Sequence, residues 1–308
     1  MKRYLIPDKG TFYKANLHCH STCSDGKLSP EQIKQEYMAK GYSIVAYTDH
    51  NCFKDHSELA DESFLPICGC EVDITENKSP NFKYLKTYHI NLYAPDYSAS
   101  FSRCDFSFNY SVDCVNEFIR YAKEKGYMVS YNHPRWSLQN YSDYSGLEGV
   151  DFIEIYNHGC YVAGYEDYVP YVMDDFLRMG KRVWCTATDD NHNHNQFYDS
   201  FGGYVMIKAE KLEYGTVMQA LKNGEFYAST GAQIDELYIE DGVMTVKCAP
   251  AKSIVFTTEM RKTKRIVAKE GQPLTQGTFK IDPDDGYVHV EITDINGYKA
   301  NTQPYFVK

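Results

Sequence analysis

Short apolar segments in the first two thirds of the chain end repeatedly in histidine or an acidic residue, and this pattern constrains the fold more than any other feature. Residues 44–47, for example, are apolar and are followed by Thr48, Asp49 and His50. Helical patterns separate such segments, as between residues 111 and 125, where apolar side chains recur at helical spacing. This alternation favours a parallel sheet with enough units to close into a barrel, in which reactive groups lie at the carboxyl ends of the strands. We therefore predict an α/β fold with a functional site at these strand ends.

The last quarter of the chain has a different residue pattern. From about residue 232, short strand-like segments are separated by Asp-Gly, Pro and Asn-Gly turns, and no helical pattern of useful length appears. Such a segment is typical of a small antiparallel β-sandwich. We predict two domains, a barrel over residues 1–230 and a small all-β domain over residues 231–308, with the boundary between Tyr227 and Ile234.

The first polar strand end, within residues 16–26, contains His18, His20 and Asp25. Side chains alternate along a strand, so two histidines separated by one residue point to the same side. Asp25 lies in a short loop that contains Ser, Thr and Gly and can fold back toward the strand end. Two imidazoles and a carboxylate that converge on one point form half of a site for Zn²⁺, Mn²⁺ or iron.

The other strand ends contribute more residues of the same kind. The nine candidate metal ligands are His18, His20, Asp25, His50, Glu71, His89, His133, Asp190 and His192. A single divalent cation takes about four to six donors, so this set suffices for two or three ions with bridging carboxylates. Such a site generates hydroxide near neutral pH and holds the oxygens of a substrate, so that the ligands themselves form the catalytic centre.

These motifs resemble those of the polymerase-and-histidinol-phosphatase (PHP) superfamily of metal-dependent phosphoesterases. The matching segments are His18-Cys19-His20 with Asp25, Thr48-Asp49-His50, Gly69-Cys70-Glu71, His89 before Ile90-Asn91-Leu92, Asn132-His133-Pro134 and Asp190-Asn191-His192. The resemblance covers about residues 12–230. It implies a distorted (β/α)7 barrel with up to three metal ions, commonly Mn, Fe or Zn, and the tail resembles the small β domain that follows the barrel in some members.

The fourth motif departs from the family pattern, because Asp189 and Asp190 are consecutive where a single acid is usual. The spacing to His192 favours Asp190 as the ligand. Asp189 then points away from the metals or forms a hydrogen bond behind the ligands. We interpret Asp49, beside His50, as a residue that orients an imidazole rather than as a ligand.

Two further residues are candidates for substrate binding. Arg135 follows His133-Pro134, and its guanidinium group suits bidentate contact with a phosphate. A surface ion pair is the alternative role for Arg135. His158 follows Asn157 at a strand end that should face the same opening, where it would contact the substrate or transfer a proton.

Charge and composition limit the partners. The net charge of -10 argues against a surface that follows long nucleic acid. A small anionic substrate remains compatible, because bound cations would dominate the local field. The ten cysteines form no CxxC…CxxC frame, which indicates a reduced, cytoplasmic protein. No segment approaches the ~20 apolar residues of a membrane span, so we expect no membrane partner. The oligomeric state is unknown from the sequence.

Together these features predict a metal-dependent phosphoesterase that hydrolyses a small phosphomonoester, either a nucleotide or a phosphorylated metabolite. In the expected mechanism a metal-bridged hydroxide at a di- or trinuclear site attacks phosphorus in line. The leaving group is protonated by an acid of the ligand shell or by a metal-bound water. The alternative is an amidohydrolase-like enzyme that acts on a C–N or lactone bond, because similar barrels with similar ligands perform that chemistry.

Overall fold

The structure, a computed structural model, describes residues 2–307. Its helices are α1 (Pro30–Ala39), α2 (Val112–Glu124), α3 (Tyr141–Tyr144), α4 (His158–Val162), α5 (Pro170–Arg178) and α6 (Tyr214–Asn223). Its strands are β1 (Arg3–Tyr4), β2 (Thr11–Asn16), β3 (Ile44–Tyr47), β4 (Leu65–Thr75), β5 (Thr87–Tyr93), β6 (Met128–Tyr131), β7 (Phe152–Asn157), β8 (Trp184–Thr188), β9 (Tyr204–Ala209), β10 (Phe226–Ser229), β11 (Ile234–Glu240), β12 (Val243–Thr258), β13 (Thr263–Val267), β14 (Leu274–Lys280), β15 (Tyr287–Asp294), β16 (Lys299–Thr302) and β17 (Tyr305–Phe306).

The first part of the chain forms a sheet in the order β8-β7-β6-β5-β4-β3-β2-β9. The β2–β3, β3–β4, β6–β7 and β7–β8 ladders are parallel. By contrast, β5 is antiparallel to both β4 and β6, which breaks the regular strand–helix alternation expected from the sequence. The connection over residues 76–86 contains only a short 3-10 turn, Phe82–Tyr84. Without a crossover helix, the chain returns beside β4 in the opposite direction.

Local sequence signals explain the helices that pack on this sheet. The Ser29 hydroxyl caps α1 by accepting from the Gln32 N–H, while the Gln32 side chain accepts from the Ser29 N–H. Pro30 begins the helix with a suitable φ and without an unpaired N–H. Ser111 caps α2 in a similar position. The buried face of α2 consists of Cys114, Val115, Phe118, Ile119 and Ala122. These apolar faces attach the helices to the sheet.

Over the described residues 231–307, the tail consists of strands joined by turns and contains no helix. Its longest strand, β12, pairs with β11 and β14 along its first half and with β13 and β15 along its second half. Pro250 lies at the irregularity between the two halves, where a residue without an N–H group is tolerated. The tail has its own apolar core, which includes Leu237, Val246, Ile254, Phe256 and Val290.

Backbone pairing joins the tail to the first part of the chain. β10 pairs with β9 on one side and with β16 on the other, and β1 pairs with β11. Arg3 and Tyr4 therefore lie with the tail, although the predicted first domain includes them. In the ladders of the described residues, β8 pairs with β7, and β9 pairs with β2 and β10. The side chain of Gln303 also pairs with the β8 backbone: it accepts from the Cys185 N–H at 2.7 Å and donates to the Cys185 carbonyl at 2.9 Å.

A partly buried polar contact also links the two parts. Asp174 on α5 accepts hydrogen bonds from the Tyr287 hydroxyl at 2.8 Å and from Nε2 of His289 at 3.1 Å, both on β15. The mixed α/β class is thus confirmed, whereas the seven-unit barrel, the β-sandwich and the boundary at residue 230 stay predictions. No helix within residues 2–307 has the length and apolar character that a membrane crossing requires.

Candidate metal centre

Each candidate ligand lies on a strand of the first sheet or in the loop that follows one. His18, His20 and Asp25 follow β2, His50 follows β3, Glu71 lies in β4, His89 in β5, His133 follows β6, and Asp190 and His192 follow β8. The structure brings all nine of these side chains into overlapping groups of donors. The metal ligands predicted from distant segments therefore lie together.

The carboxylate of Glu71 lies at the centre and is fully buried. Five imidazole nitrogens approach it: His89 Nδ1 at 3.0 Å, His50 Nδ1 at 3.1 Å, His18 Nε2 and His133 Nε2 at 3.2 Å, and His20 Nε2 at 3.4 Å. A single carboxylate cannot accept five good hydrogen bonds, because its two oxygens offer about four lone-pair positions. The arrangement is instead the one expected of a carboxylate that shares cations with several histidines.

Asp190 supplies a second carboxylate. Its Oδ1 lies 2.9 Å from Nε2 of His20 and 3.2 Å from Nε2 of His18. The backbone φ is 52° at Asp190 and 24° at His133, values in the region that non-glycine residues rarely adopt. Strained residues of this kind persist where the surrounding structure fixes them, and they concentrate at functional sites.

Asp25 lies at the rim of the cluster, and its side chain is 53% exposed. Its carboxylate is 3.5 Å from Nε2 of His192, 3.9 Å from Nε2 of His50 and 4.0 Å from Nδ1 of His20. The His20 ring stacks against those of His50 and His192, with centroids 4.3 Å and 4.2 Å away. Burial and the neighbouring His20 lower the pKa of His50 to about 4. The His50 imidazole is therefore uncharged at pH 7 and can donate a lone pair to a metal ion.

The deeper histidines are charged when no metal is bound. Burial lowers the pKa of His20 and His133, but the carboxylates of Asp190 and Glu71 outweigh burial and raise the pKa of both imidazoles to about 9. In return, although burial raises the pKa of both acids, the surrounding histidines hold the pKa of Glu71 and Asp190 well below its usual range. The two carboxylates thus remain ionised in a buried place and attract positive charge.

The residues present fit a metal centre. Four buried polar atoms in the cluster lack a hydrogen-bond partner: His20 Nδ1, Glu71 Oε2, His89 Nδ1 and Asp190 Oδ1. Buried polar atoms are nearly always bonded, so several orphans in one place indicate a missing ligand. Donor atoms within 4.8 Å of one another form the groups His18/His20/Glu71/Asp190, His50/Glu71/His89, His20/Asp25/His50/His192 and His18/His133/Glu154. Imidazole nitrogens and carboxylate oxygens are suitable donors for divalent transition metals.

Glu154, a buried acid in β7, was missed by the sequence reasoning. Its Oε1 accepts from Nδ1 of His18 at 2.9 Å and from the Thr188 hydroxyl. Its Oε2 accepts from the His133 N–H at 2.9 Å and from Nδ2 of Asn157 at 3.0 Å. The bond to Nδ1 fixes the tautomer of His18 that leaves Nε2 available to a cation. The sequence signal that could have identified Glu154 is an acidic residue within an apolar strand segment.

The two acids that precede motif residues anchor loops. Asp189 accepts the N–H groups of residues 201–203 at 2.8–2.9 Å and the Tyr37 hydroxyl at 2.8 Å, and it faces away from the cluster, whereas Asp190 faces into it. Asp49 accepts the N–H and hydroxyl of Ser21 and the hydroxyl of Ser24, each at 2.8 Å. Asp49 therefore fixes the loop that carries Asp25 and does not orient an imidazole.

A cavity of about 430 Å³ opens beside the ligands. Arg135 is exposed and is not among the described residues that line this cavity. His158 is not among them either: its Nδ1 bonds to the Tyr156 hydroxyl at 2.9 Å, and its ring packs so closely on Gly202 that a Cβ there would collide with it. The structure thus does not bring the two predicted substrate-binding residues to the cavity wall.

The comparison with protein families agrees with this geometry. Residues 16–158 match the model of the PHP domain. This match agrees with the resemblance drawn from the motifs for residues 16–158. The match includes seven of the nine candidate ligands and ends before Asp190 and His192.

Two curated relatives match shorter stretches. A 5′-3′ exoribonuclease of Haemophilus influenzae is 43% identical over 49 residues, which are 15% of this chain and 18% of that protein. The DNA polymerase/3′-5′ exonuclease PolX of Bacillus subtilis is 30% identical over 79 residues, which are 26% of this chain and 14% of that protein. The chain spans less than a fifth of the length of these relatives, and such short matches do not indicate that it shares their activities.

Solved structures show distant likenesses. A two-domain Bacteroides vulgatus protein that contains a predicted PHP-like metal-dependent phosphoesterase is 17% identical, with coverage of 99% of this chain and 97% of that one and a TM-score of 0.49. An amidohydrolase from Chromobacterium violaceum is 16% identical, with coverage of 58% and 87% and a TM-score of 0.40. At these identities and TM-scores, neither structure indicates an activity for this chain.

Proposed function

We propose that this protein is a metal-dependent phosphoesterase that hydrolyses a small phosphomonoester, a nucleotide or a phosphorylated metabolite. The observation that carries the proposal is the convergence of the nine predicted ligands on one cluster centred on Glu71, in a chain whose residues 16–158 match the model of the PHP domain. The cofactors would be two or three divalent ions, Mn, Fe or Zn. Such ions supply Lewis acidity and lower the pKa of water toward neutrality.

The donor groups support more than one ion. Glu71 belongs to one group with His18, His20 and Asp190 and to another with His50 and His89. A carboxylate shared by two donor groups is what a bridging ligand requires. A further group at the rim includes Asp25 and His192 and would hold the outermost ion. The deep groups are buried, so ions held there would be shielded from exchange with solvent.

The chain itself keeps the ligands oriented. Glu154 fixes the His18 tautomer, and Asn157 donates to Oδ2 of Asp190 at 3.0 Å, so that Oδ1 faces His20. Ligands held in place in this way would keep bound cations beside a phosphoryl group, and the positive charge of those cations would stabilise the negative charge that develops during transfer with little reorganisation. The buried carboxylates and the neutral His50 would therefore hold positive charge close to the reacting phosphate.

The test combines metal analysis with an activity panel. Protein purified without chelator is analysed for bound Mn, Fe and Zn, and then assayed with Mn²⁺ against p-nitrophenyl phosphate, nucleoside monophosphates, amides and lactones. We expect two or three ions per chain and turnover of phosphate esters only. Turnover of amides or lactones without phosphate esters would replace the proposal with the amidohydrolase-like alternative.

A matched pair of variants tests the site itself. Glu71→Gln keeps the shape of the side chain but removes the shared charge, so it should abolish turnover and reduce the metal content. Glu213→Gln is the control, because Glu213 is exposed and only pairs with Lys211 at 3.5 Å on the surface. Full activity of the metal-replete Glu71→Gln variant would contradict the proposed catalytic centre.

A further inference from the structure

One wall of the cavity is aromatic. Trp136 and Phe82 line it, and their ring centroids lie 6.1 Å apart. The Trp136 ring is 5.1 Å from the ring of His89 and 5.3 Å from the ring of His133. A planar group that enters the cavity therefore meets an aromatic surface directly beside two of the candidate ligands.

Trp136 is held in this position by the turn after β6. The Ser137 N–H donates to the His133 carbonyl at 3.2 Å, and the Ser137 hydroxyl bonds to Nδ1 of His133 at 3.3 Å. The same turn therefore positions both the indole and a metal ligand. Trp136 is partly exposed and Phe82 is 53% exposed, so both rings remain accessible from the opening.

The charged side chains that line the cavity outside the donor groups are negative. Asp73 and Asp199 line the cavity and belong to none of the donor groups around Glu71. No lysine or arginine is found among the described residues that line it. Arg103 lies 3.8 Å from Asp73 and balances that charge in part, whereas Asp199 is bonded to backbone N–H groups. A second phosphate on the substrate would face these carboxylates without a cation to bind it.

We propose that the substrate carries one phosphate and an aromatic leaving group without further negative charge, which stacks on Trp136 with Phe82 at the rim. The inference rests on the proposed function and narrows its substrate class. Aromatic rings stack on indole regardless of their detailed chemistry, so a nucleobase or a phenyl ring fits this wall. A cavity of about 430 Å³ lies within the range of small-molecule sites.

The kinetic test uses two esters that differ only in aromaticity. The leaving groups of 2-phenylethyl phosphate and 2-cyclohexylethyl phosphate have similar size and similar acidity, so their intrinsic reactivity is alike. We expect kcat/KM to favour the phenyl ester about tenfold in the parent protein, from stacking alone. Trp136→Leu should reduce the preference to less than twofold, and Trp136→Phe should retain most of it. Phe82→Leu, at an exposed rim position, should reduce it about threefold.

A binding test requires no turnover. The chain has two tryptophans, and Trp184 lies far from this wall in β8, where its Nε1 donates to the Lys222 carbonyl. In a Trp184→Phe background, fluorescence therefore reports on Trp136 alone. We expect adenosine 3′-monophosphate to quench it on binding, ribose 5-phosphate not to quench it, and adenosine 3′,5′-bisphosphate to bind at least about fivefold more weakly than the monophosphate.

The two proposals fail separately. If phosphate esters are hydrolysed but the phenyl and cyclohexyl esters react equally, or if Trp136→Leu leaves their ratio unchanged, the stacking wall is refuted and the phosphoesterase stands. If no phosphate ester, including p-nitrophenyl phosphate and the nucleoside monophosphates, is hydrolysed but Trp136 is still quenched by adenosine 3′-monophosphate, the proposed function is refuted and the binding wall stands. Tighter binding of the bisphosphate overturns the single-phosphate inference.

Discussion

Replacement of Glu154 by glutamine tests whether a buried carboxylate behind the ligands controls metal binding. Four donors reach Glu154: Nδ1 of His18 and the Thr188 hydroxyl on Oε1, and the His133 N–H and Asn157 Nδ2 on Oε2. A glutamine of the same shape offers one acceptor oxygen and one NH₂ group. Two of the four donors must then face another donor.

Both orientations of the glutamine are costly. With its NH₂ group toward His18, that imidazole must adopt the other tautomer to accept at Nδ1, which places a proton on the Nε2 that faces Asp190 and Glu71. With its NH₂ group toward His133, a buried backbone N–H loses its acceptor. An unsatisfied buried donor costs about 1–3 kcal/mol, and a lost bond to a charged group about 1.5–3 kcal/mol. We expect a loss of about 2–4 kcal/mol in the free energy of unfolding.

The change should appear in both stability and metal affinity. At about 2 °C per kcal/mol for a chain of this size, Glu154→Gln should lower the melting temperature of the metal-free protein by about 4–8 °C. Loss of a carboxylate partner behind a metal-bound histidine typically weakens metal affinity about 10- to 100-fold. Scanning fluorimetry in chelator measures the first effect, and competition against a chromogenic chelator measures the second.

The exposed Glu213→Gln variant serves again as the control, since it removes the same charge without disturbing a buried network. Glu154→Gln that binds metal as tightly as the parent protein would refute the role assigned to the carboxylate. Weaker metal binding in both variants would show that total charge, rather than the bond to His18, sets the affinity.

Three further predictions concern the ligands and the link to the tail. Asp25→Asn should reduce metal content less than Glu71→Gln, because Asp25 lies at the exposed rim; metal analysis of both variants checks this. The pKa of His20 and His133 is about 9 without metal, so both are protonated at pH 7 and must lose a proton to bind a cation. Metal affinity should therefore rise with pH up to about 9, and calorimetry in two buffers of different ionisation enthalpy should record proton release. Asp174→Asn should lower the melting temperature by about 3–6 °C without a change in metal content, because it weakens the bonds to β15.

Most of the ligands were predictable because they lie at the end of an apolar segment, where a polar residue stands out in the sequence. His18, His50 and His133 are of this kind, and their convergence follows from the edge that parallel strand ends share. Glu154 was not predicted, because its role depends on contact with His18, which lies 136 positions away in the chain. The sequence shows an acid among apolar residues but not what it faces.

Chain direction and side-chain direction were harder to predict. The reversal of β5 depends on the absence of a crossover helix in residues 76–86, a segment whose sequence has no strong pattern. The spacing to His192 favoured Asp190 over Asp189, and Asp190 does lie in the cluster, but its positive φ of 52° was not predictable from the sequence. The exposure of Arg135 shows that sequence proximity to a ligand does not place a side chain in a cavity.

The side-chain amide of Gln303 limits where this chain can be truncated. It occupies the backbone groups of Cys185 at the free edge of β8, the strand that leads to Asp190 and His192. Truncation at residue 230 would remove Gln303 and expose the edge of β8. An exposed strand edge promotes pairing between molecules. The metal-binding half would then be expected to aggregate rather than to stand as a minimal enzyme, so expression trials should keep the two halves in one polypeptide.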